Sequence, residues 1–108
     1  MTRALRVDAA PVFAALGDST RLALVQQLSS AGPQSIKQLT ANTDVTRQAV
    51  TKHLLALHEA GLVRDSREGR ERIWEIEPRR LLVASRYLEE VSRRWDDAVE
   101  RLRAFVEE

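Results

Sequence analysis

A mainly α-helical fold with one small β-hairpin and a long C-terminal helix is predicted by three features of the 108-residue sequence. The run Thr46 to Val63, TRQAVTKHLLALHEAGLV, places apolar residues at Val50, Leu54 and Leu57 behind a capping threonine, the spacing of one helix stripe. Two short β-prone runs come after it, separated by a glycine-containing turn. From Pro78 onward, apolar residues recur every seven positions, with a second set three residues behind the first.

In chain order, a first helix is expected from about Asp8 to Leu16, where Ala9, Val12, Phe13 and Leu16 share a face. Pro11 then falls in the first turn, where a missing N–H costs little. Gly17-Asp18-Ser19 breaks this helix, and Asp18 or Ser19 caps a second, Thr20 to Leu28, with Leu22, Val25 and Leu28 pointing one way. Ala31-Gly32-Pro33 closes it. A third helix begins at the cap Ser35 and carries Ile36 and Leu39 to about Asn42.

The polar turn Asn42-Thr43-Asp44 leads to the helix that Thr46 caps and Ala60-Gly61 stops, so residues 35–60 read as a helix-turn-helix. Ile36, Leu39, Val45, Val50 and Leu54 pack the two helices across the turn and leave the front of the second exposed. Arg47, Gln48, Thr51 and Lys52 lie on that front, where side chains of this type reach base edges and phosphates in a DNA major groove. A short two-helix turn also occurs in purely structural bundles, and the segment C-terminal to it favours the DNA-binding reading.

Val63 to Arg67 and Arg72 to Glu77 are strands, with Trp74 and Ile76 on one face of the second and Glu68-Gly69-Arg70-Glu71 as the turn between them. A hairpin at 63–77, directly after such a helix, is a wing. Arg67, Arg70 and Arg72 decorate its arm and tip, where they can take phosphate oxygens or enter the minor groove. The alternative is that they keep an exposed hairpin soluble by pairing with Glu68 and Glu71.

The last helix, about 79–106, carries Leu81, Leu88, Trp95 and Leu102 seven apart, interleaved with Ala84, Val91, Ala98 and Phe105; Val99 and Val106 widen the stripe. This seam is more apolar surface than the preceding core can cover, which predicts a homodimer through Leu81, Leu88, Val91, Trp95, Ala98, Leu102 and Phe105. A two-fold dimer also places two recognition helices over a palindromic site. The alternative is a helix that packs wholly on its own domain.

Composition limits the functional classes. Hydrophobic residues at 44% and charged residues at 31% suit one globular domain, 1–108, and speak against wholesale disorder. The absence of cysteine excludes disulfides and thiolate metal ligands and permits a cytoplasmic location. There is no apolar run of membrane-spanning length and no signal-like N-terminus, so membrane and export readings fall away. The net charge is only +1, but up to His58 six basic residues face three acidic ones, which allows a local basic surface. No pair of catalytic carboxylates and no glycine-rich phosphate loop is found, and both histidines fall on the recognition helix. An enzyme is therefore not expected, nor a cofactor.

The run Val12-Phe13-Ala14-Ala15-Leu16-Gly17-Asp18-Ser19-Thr20-Arg21-Leu22 resembles the opening F-x-A-L-(A/G)-D-x-T-R signature of the ArsR-type (SmtB/ArsR) winged-helix repressors. Val50-Thr51-Lys52-His53-Leu54-Leu55-Ala56-Leu57-His58-Glu59-Ala60-Gly61-Leu62-Val63 is similar to their V-S-x-H-L-x-x-L-x-x-A-G-L-V segment, and Glu68-Gly69-Arg70 and Trp74-Glu75-Ile76 continue the likeness through the wing. The resemblance covers Asp8 to Pro78 in motifs and the last helix in character. It implies a homodimer joined by its first helix, at Val12 and Phe13, and its last, an operator near its own promoter, and repression relieved by a signal. Base reading then falls on Arg47, Gln48, Thr51 and Lys52, with Thr46 capping the helix and touching a phosphate. His53 matches a recurring histidine of this segment, read first as a hydrogen-bonded packing residue and second as a phosphate contact.

Departures from the family bear on the signal. Metal-sensing relatives hold their ion through cysteines in the third helix or Asp and His pairs on the last. Here the third helix reads Ser35-Ile36-Lys37-Gln38-Leu39, and the last has Glu89, Glu90, Asp96, Asp97 and Glu100 but no histidine, so no metal is expected. Those carboxylates read as a solvated face paired with Arg86, Arg93, Arg94 and Arg101. A small apolar effector near Trp95 and Phe105, a partner protein, or no ligand at all remain open for regulation. The expected function is a sequence-specific DNA-binding regulator, a homodimeric repressor of an inverted-repeat operator. The alternative is a winged-helix module that binds protein without reading DNA.

Overall fold

A computed structural model of the protein describes residues 2–107. The first helix, α1, runs Thr2–Leu16 and so begins well upstream of the start expected at Asp8. Leu5 is half-buried and Ala9 and Val12 are buried along one stripe, packed against the last helix, α5, at Pro78–Glu107. Pro11 therefore lies inside the helix and not in its first turn. Its ring removes the bond to the Val7 carbonyl, but Val7 faces solvent, where water can take that carbonyl, and packing on α5 offsets the loss.

Helix α2, Ser19–Ala31, is capped by Asp18, whose carboxylate accepts from the Thr20 and Arg21 backbone N–H groups at 2.9 and 3.0 Å. Its buried side is Leu24 and Leu28, with Val25 half-buried, whereas Leu22 points outward, against the sequence expectation. Apolar residues occupy more than one side of this helix, and spacing alone does not choose among them.

Strand β1, Gln34–Ser35, was not expected from the sequence. It pairs antiparallel with β3 (Glu71–Ile76), Gln34 opposite Trp74, and β3 pairs in turn with β2 (Val63–Glu68), giving the sheet order β1-β3-β2. The wing is thus a tight hairpin whose two-residue turn is Gly69-Arg70, flanked by the pair Glu68 and Glu71. Gly69 has φ +63°, the left-handed value that the first position of such a turn demands. Helices α3, Ile36–Ala41, and α4, Arg47–Glu59, lie between β1 and β2.

Leu39, Val50, Leu54, Leu57, Leu62 and Trp74 have no accessible surface, and Ile36 and Val45 pack against them, so the core is built where the helix-turn-helix, α2 and the sheet meet. Ala84 of α5 joins it. Past Ala84, α1 still accompanies α5, with Phe13 against Tyr87 and Leu5 beside Glu89 and Arg93, and α5 then extends clear of the domain. Leu88, Trp95, Leu102 and Phe105 lie exposed along one stripe, Trp95 at 68% and Phe105 at 79%, and the molecule is 67 Å long against 29 and 20 Å across. Val91 and Ala98 on the same stripe are half-buried. Val12 corrects the expected dimer set: it is wholly inside its own subunit and has no surface to offer a second copy. Phe13 is half-buried against Tyr87, with ring centroids 5.9 Å apart. Among the described residues no helix is long and apolar enough to cross a membrane.

Candidate nucleic-acid interface

The two helices of the motif are set by local hydrogen bonds. Ser35 closes a capping box on α3: its hydroxyl accepts from the Gln38 N–H at 3.2 Å, and the Gln38 side chain accepts from the Ser35 N–H at 2.9 Å. The Asn42 amide donates back to the Gln38 carbonyl at 3.1 Å and ends the helix. Thr46 then caps α4 by accepting from the Ala49 N–H at 3.1 Å.

Capping fixes what the first turns of α4 present. Arg47, Gln48 and Lys52 are exposed, and none of their side chains has a hydrogen bond or ion pair among the described residues. Thr51 differs, because its hydroxyl donates back to the Arg47 carbonyl at 2.9 Å. Thr46, Gln48, Ala49, Thr51, Lys52 and Leu55 together line an open groove of about 560 Å³. Polar side chains from Gln48, Thr51 and Lys52 beside the apolar Ala49 and Leu55 suit this surface to a base-pair edge.

Beside the groove lies a notch of about 220 Å³ between α3, the start of α4 and the wing tip, lined by Ser35, Ile36, Lys37, Arg47, Arg70, Glu71 and Arg72. Lys37, Arg47 and Arg70, with no ion pair among the described residues, outnumber Glu71 there, a balance that suits an anion. Lys37 was not among the site residues expected from sequence. Its position in the first turn of α3 was legible, but its nearness to Arg70 depends on β1 drawing α3 onto β3.

The wing arginines divide. Arg67 and Arg70 are exposed with no ion pair among the described residues, whereas Arg72 donates to the Asp65 carboxylate at 2.6 Å and lies 4.6 Å from the Trp74 ring centre. Arg72 is therefore a brace of the wing's base and not a free phosphate ligand. The partner that holds it is Asp65, neither Glu68 nor Glu71. Its hydrogen bond is the chief reason that the Asp65 carboxyl titrates below the usual range. His58 adds a contact from α4, with Nε2 3.7 Å from the same carboxylate and its ring edge-on to Trp74. Glu75, with Glu77 beside it, holds Arg64 in a further surface bridge, at 2.9 Å each.

His53 turns away from the groove. Its Nδ1 lies 3.4 Å from an Arg21 guanidinium nitrogen and 4.0 Å from Asp18, which leaves it packed between α4 and the start of α2. That geometry fits the packing role, the first of its two readings. Arg21 also donates to the Ala14 and Ala15 carbonyls at the end of α1. The sequence segment Asp18-Ser19-Thr20-Arg21 is thus a joint: Asp18 caps the helix after it, and Arg21 caps the helix before it. The N–H groups of Arg21 and then Thr20 keep the Asp18 carboxyl below its ordinary range. Among the described residues no group of three or more His, Asp or Glu side chains is placed to share a metal ion.

Comparison with known proteins agrees with this geometry. Residues 16–65 match the model of a family described as a helix-turn-helix domain. The chain is 40% identical over 68 residues to YuzN of Bacillus subtilis, an uncharacterised HTH-type transcriptional regulator, covering 57% of this chain and 74% of that one. Among solved structures, an ArsR-like transcriptional regulator from Rhodococcus superposes with a TM-score of 0.77 at 35% identity, over 92% of each chain. The homodimeric winged helix-turn-helix DNA-binding domain of Mb0332 from Mycobacterium bovis, described as a possible ArsR-family regulator, gives 0.65 at 25% identity, over 92% of this chain and 88% of that one.

Proposed function

The chain belongs to the ArsR family of winged-helix regulators and is a DNA-binding transcriptional regulator, and from that premise we propose that it acts as a homodimeric repressor of an inverted-repeat operator. The observation that carries this reading is the leading edge of α4, where Arg47, Gln48 and Lys52 stand exposed with no internal partner among the described residues. Long polar side chains so placed are free to bond base edges and phosphates when the helix enters a major groove.

In this mechanism the basic notch formed by Lys37, Arg47 and Arg70 receives a backbone phosphate, and Arg67 takes another from the wing's arm. Thr46 is close enough to the helix start to touch the same backbone. The exposed stripe of α5 from Leu88 to Phe105 buries itself against its copy, with Phe13 at the margin. The two-fold then sets two copies of α4 about one helical turn of DNA apart, or a multiple of it. A dimer seated so over a promoter blocks transcription by occupying it.

The test is a fluorescence-anisotropy titration of the full chain on duplex from its own upstream region and on a shuffled duplex, each at two salt concentrations. The expected result is a preference of about a thousandfold or more for the native duplex, with both affinities falling steeply as salt rises. Weak and equal binding to the native duplex, the shuffled one and a random pool would refute the reading and favour a winged helix that docks on protein.

A further inference from the structure

We propose that the recognition helix reads thymine by its 5-methyl group, through an apolar patch made by the Thr51 methyl and the Leu55 side chain; the inference rests on the DNA-reading role of α4 given above. Thr51 and Leu55 are one helical turn apart, and Gln48 and Lys52 lie beside them on the same face. Both line the open groove on that face.

Thr51 has already committed its hydroxyl hydrogen, which goes to the Arg47 carbonyl of its own helix at 2.9 Å. What the side chain still offers a ligand in the groove is an oxygen that can only accept and its γ-methyl. Leu55 is 47% exposed in the midst of polar neighbours, a cost with no return inside the domain. Long side chains of a helix lean toward its N-terminus, so the Leu55 methyls cover the turn that holds Thr51 and Lys52 rather than the turn behind. The two residues thus make a continuous apolar strip on a face whose long neighbours, Gln48 and Lys52, are polar.

The thymine 5-methyl is the apolar group that a base pair offers in the major groove. Gln48, next to the strip, has the donor and acceptor that match adenine N7 and N6. Each half-site therefore contains a thymine whose methyl sits on Thr51 and Leu55, with an adenine within reach of Gln48.

The experiment starts from the preferred duplex selected out of a random pool by the full chain, and replaces each thymine singly by deoxyuridine. Uracil keeps every hydrogen bond of thymine and lacks only the methyl. Expected is one thymine per half-site at which uracil weakens binding about fourfold, the factor for removing one buried methyl. Thr51→Val should keep that ratio, and the double variant Thr51→Ser with Leu55→Ala should bring it to one; all three substitutions lie on an exposed face. Indifference to uracil at every thymine overturns the inference and leaves the DNA-reading role standing. So does a ratio that survives in the double variant or disappears in Thr51→Val. A selection that yields no preferred sequence overturns the DNA-reading role, and this inference with it.

Discussion

Gln48 and Arg70 separate the two kinds of contact that a DNA reader makes. Gln48 stands in the first turn of α4 and has no internal partner among the described residues, so its amide is available to a base edge. Gln48→Ala should cost about 1–3 kcal/mol on the operator and little on random duplex. Arg70 stands exposed at the wing tip in the basic notch, and in the proposed mechanism its contact is with the phosphate backbone. Arg70→Ala should weaken all duplexes alike and flatten the dependence of log affinity on log salt, by about one in slope. Anisotropy titrations over a salt series distinguish these outcomes, and equal losses on both duplexes for Gln48→Ala would remove it from the reading set. At the wing's base the relevant residue is Asp65. Its folded-state pKa lies below the ordinary value of 3.8, so its contribution to stability is present above that value and is lost as pH falls through the folded-state value. Asp65→Asn should therefore be less stable than the parent at neutral pH and show a smaller drop on acidification from about pH 5 to pH 3. Urea midpoints at the two pH values measure it, and parallel drops would refute it.

Among the elements, α4 was legible from its own residues, because a cap, an apolar stripe and a glycine stop are all local signals. The Thr46 cap, the buried Val50, Leu54 and Leu57, and the stop at Gly61 match the sequence expectation closely. Helix α1 was legible only in its second half, since Pro11 resembles a first-turn residue until α5 is present to hold the turns before it. The turn from α4 to β2 has one position that only glycine satisfies well. Gly61 has φ +78°, and a Cβ there would come within 2.9 Å of the Arg80 side chain from α5. Gly61→Ala should destabilise the fold by about 1–2 kcal/mol, chiefly through the left-handed backbone, because the Arg80 side chain can move aside. A denaturant melt with an unchanged midpoint would contradict this. The joint at Asp18 and Arg21 illustrates a signal that was visible as a motif and opaque as a mechanism. Its residues recur in the resemblance, but their partners are the Ala14 and Ala15 carbonyls and His53, which the chain alone does not place.

For the whole molecule, the main fact is that α5 outruns the body it grows from. Ala84 is buried and Leu81 partly buried in the domain, and the apolar stripe then continues from Leu88 to Phe105 with Leu88, Trp95, Leu102 and Phe105 exposed and Val91 and Ala98 half-buried. A seam of this length in water is stable when a second copy covers it. The double variant Trp95→Glu with Phe105→Glu should sediment as a monomer, keep its helical circular dichroism, and bind operator at least about tenfold more weakly, since half-site binding forgoes the second recognition helix. Retention of the dimer by this variant would show that the stripe does not join the subunits.

The sequence by itself determined the order and kind of the main elements, the caps and stops of α3 and α4, the glycine turn of the wing and the apolar stripe of α5. Each of these is written in residues within one or two turns of each other, so short-range sterics and hydrogen bonds suffice to decide them. Only the tertiary structure decided which side of α2 is buried, that Gln34–Ser35 pairs with β3, that Lys37 joins the notch, and that Val12 is interior. It likewise decided that Arg72 belongs to Asp65 and Trp74 while Arg67 and Arg70 stay free of ion pairs among the described residues. These depend on surfaces far apart in the chain meeting in space, and a side chain's availability is set by the neighbour that reaches it first.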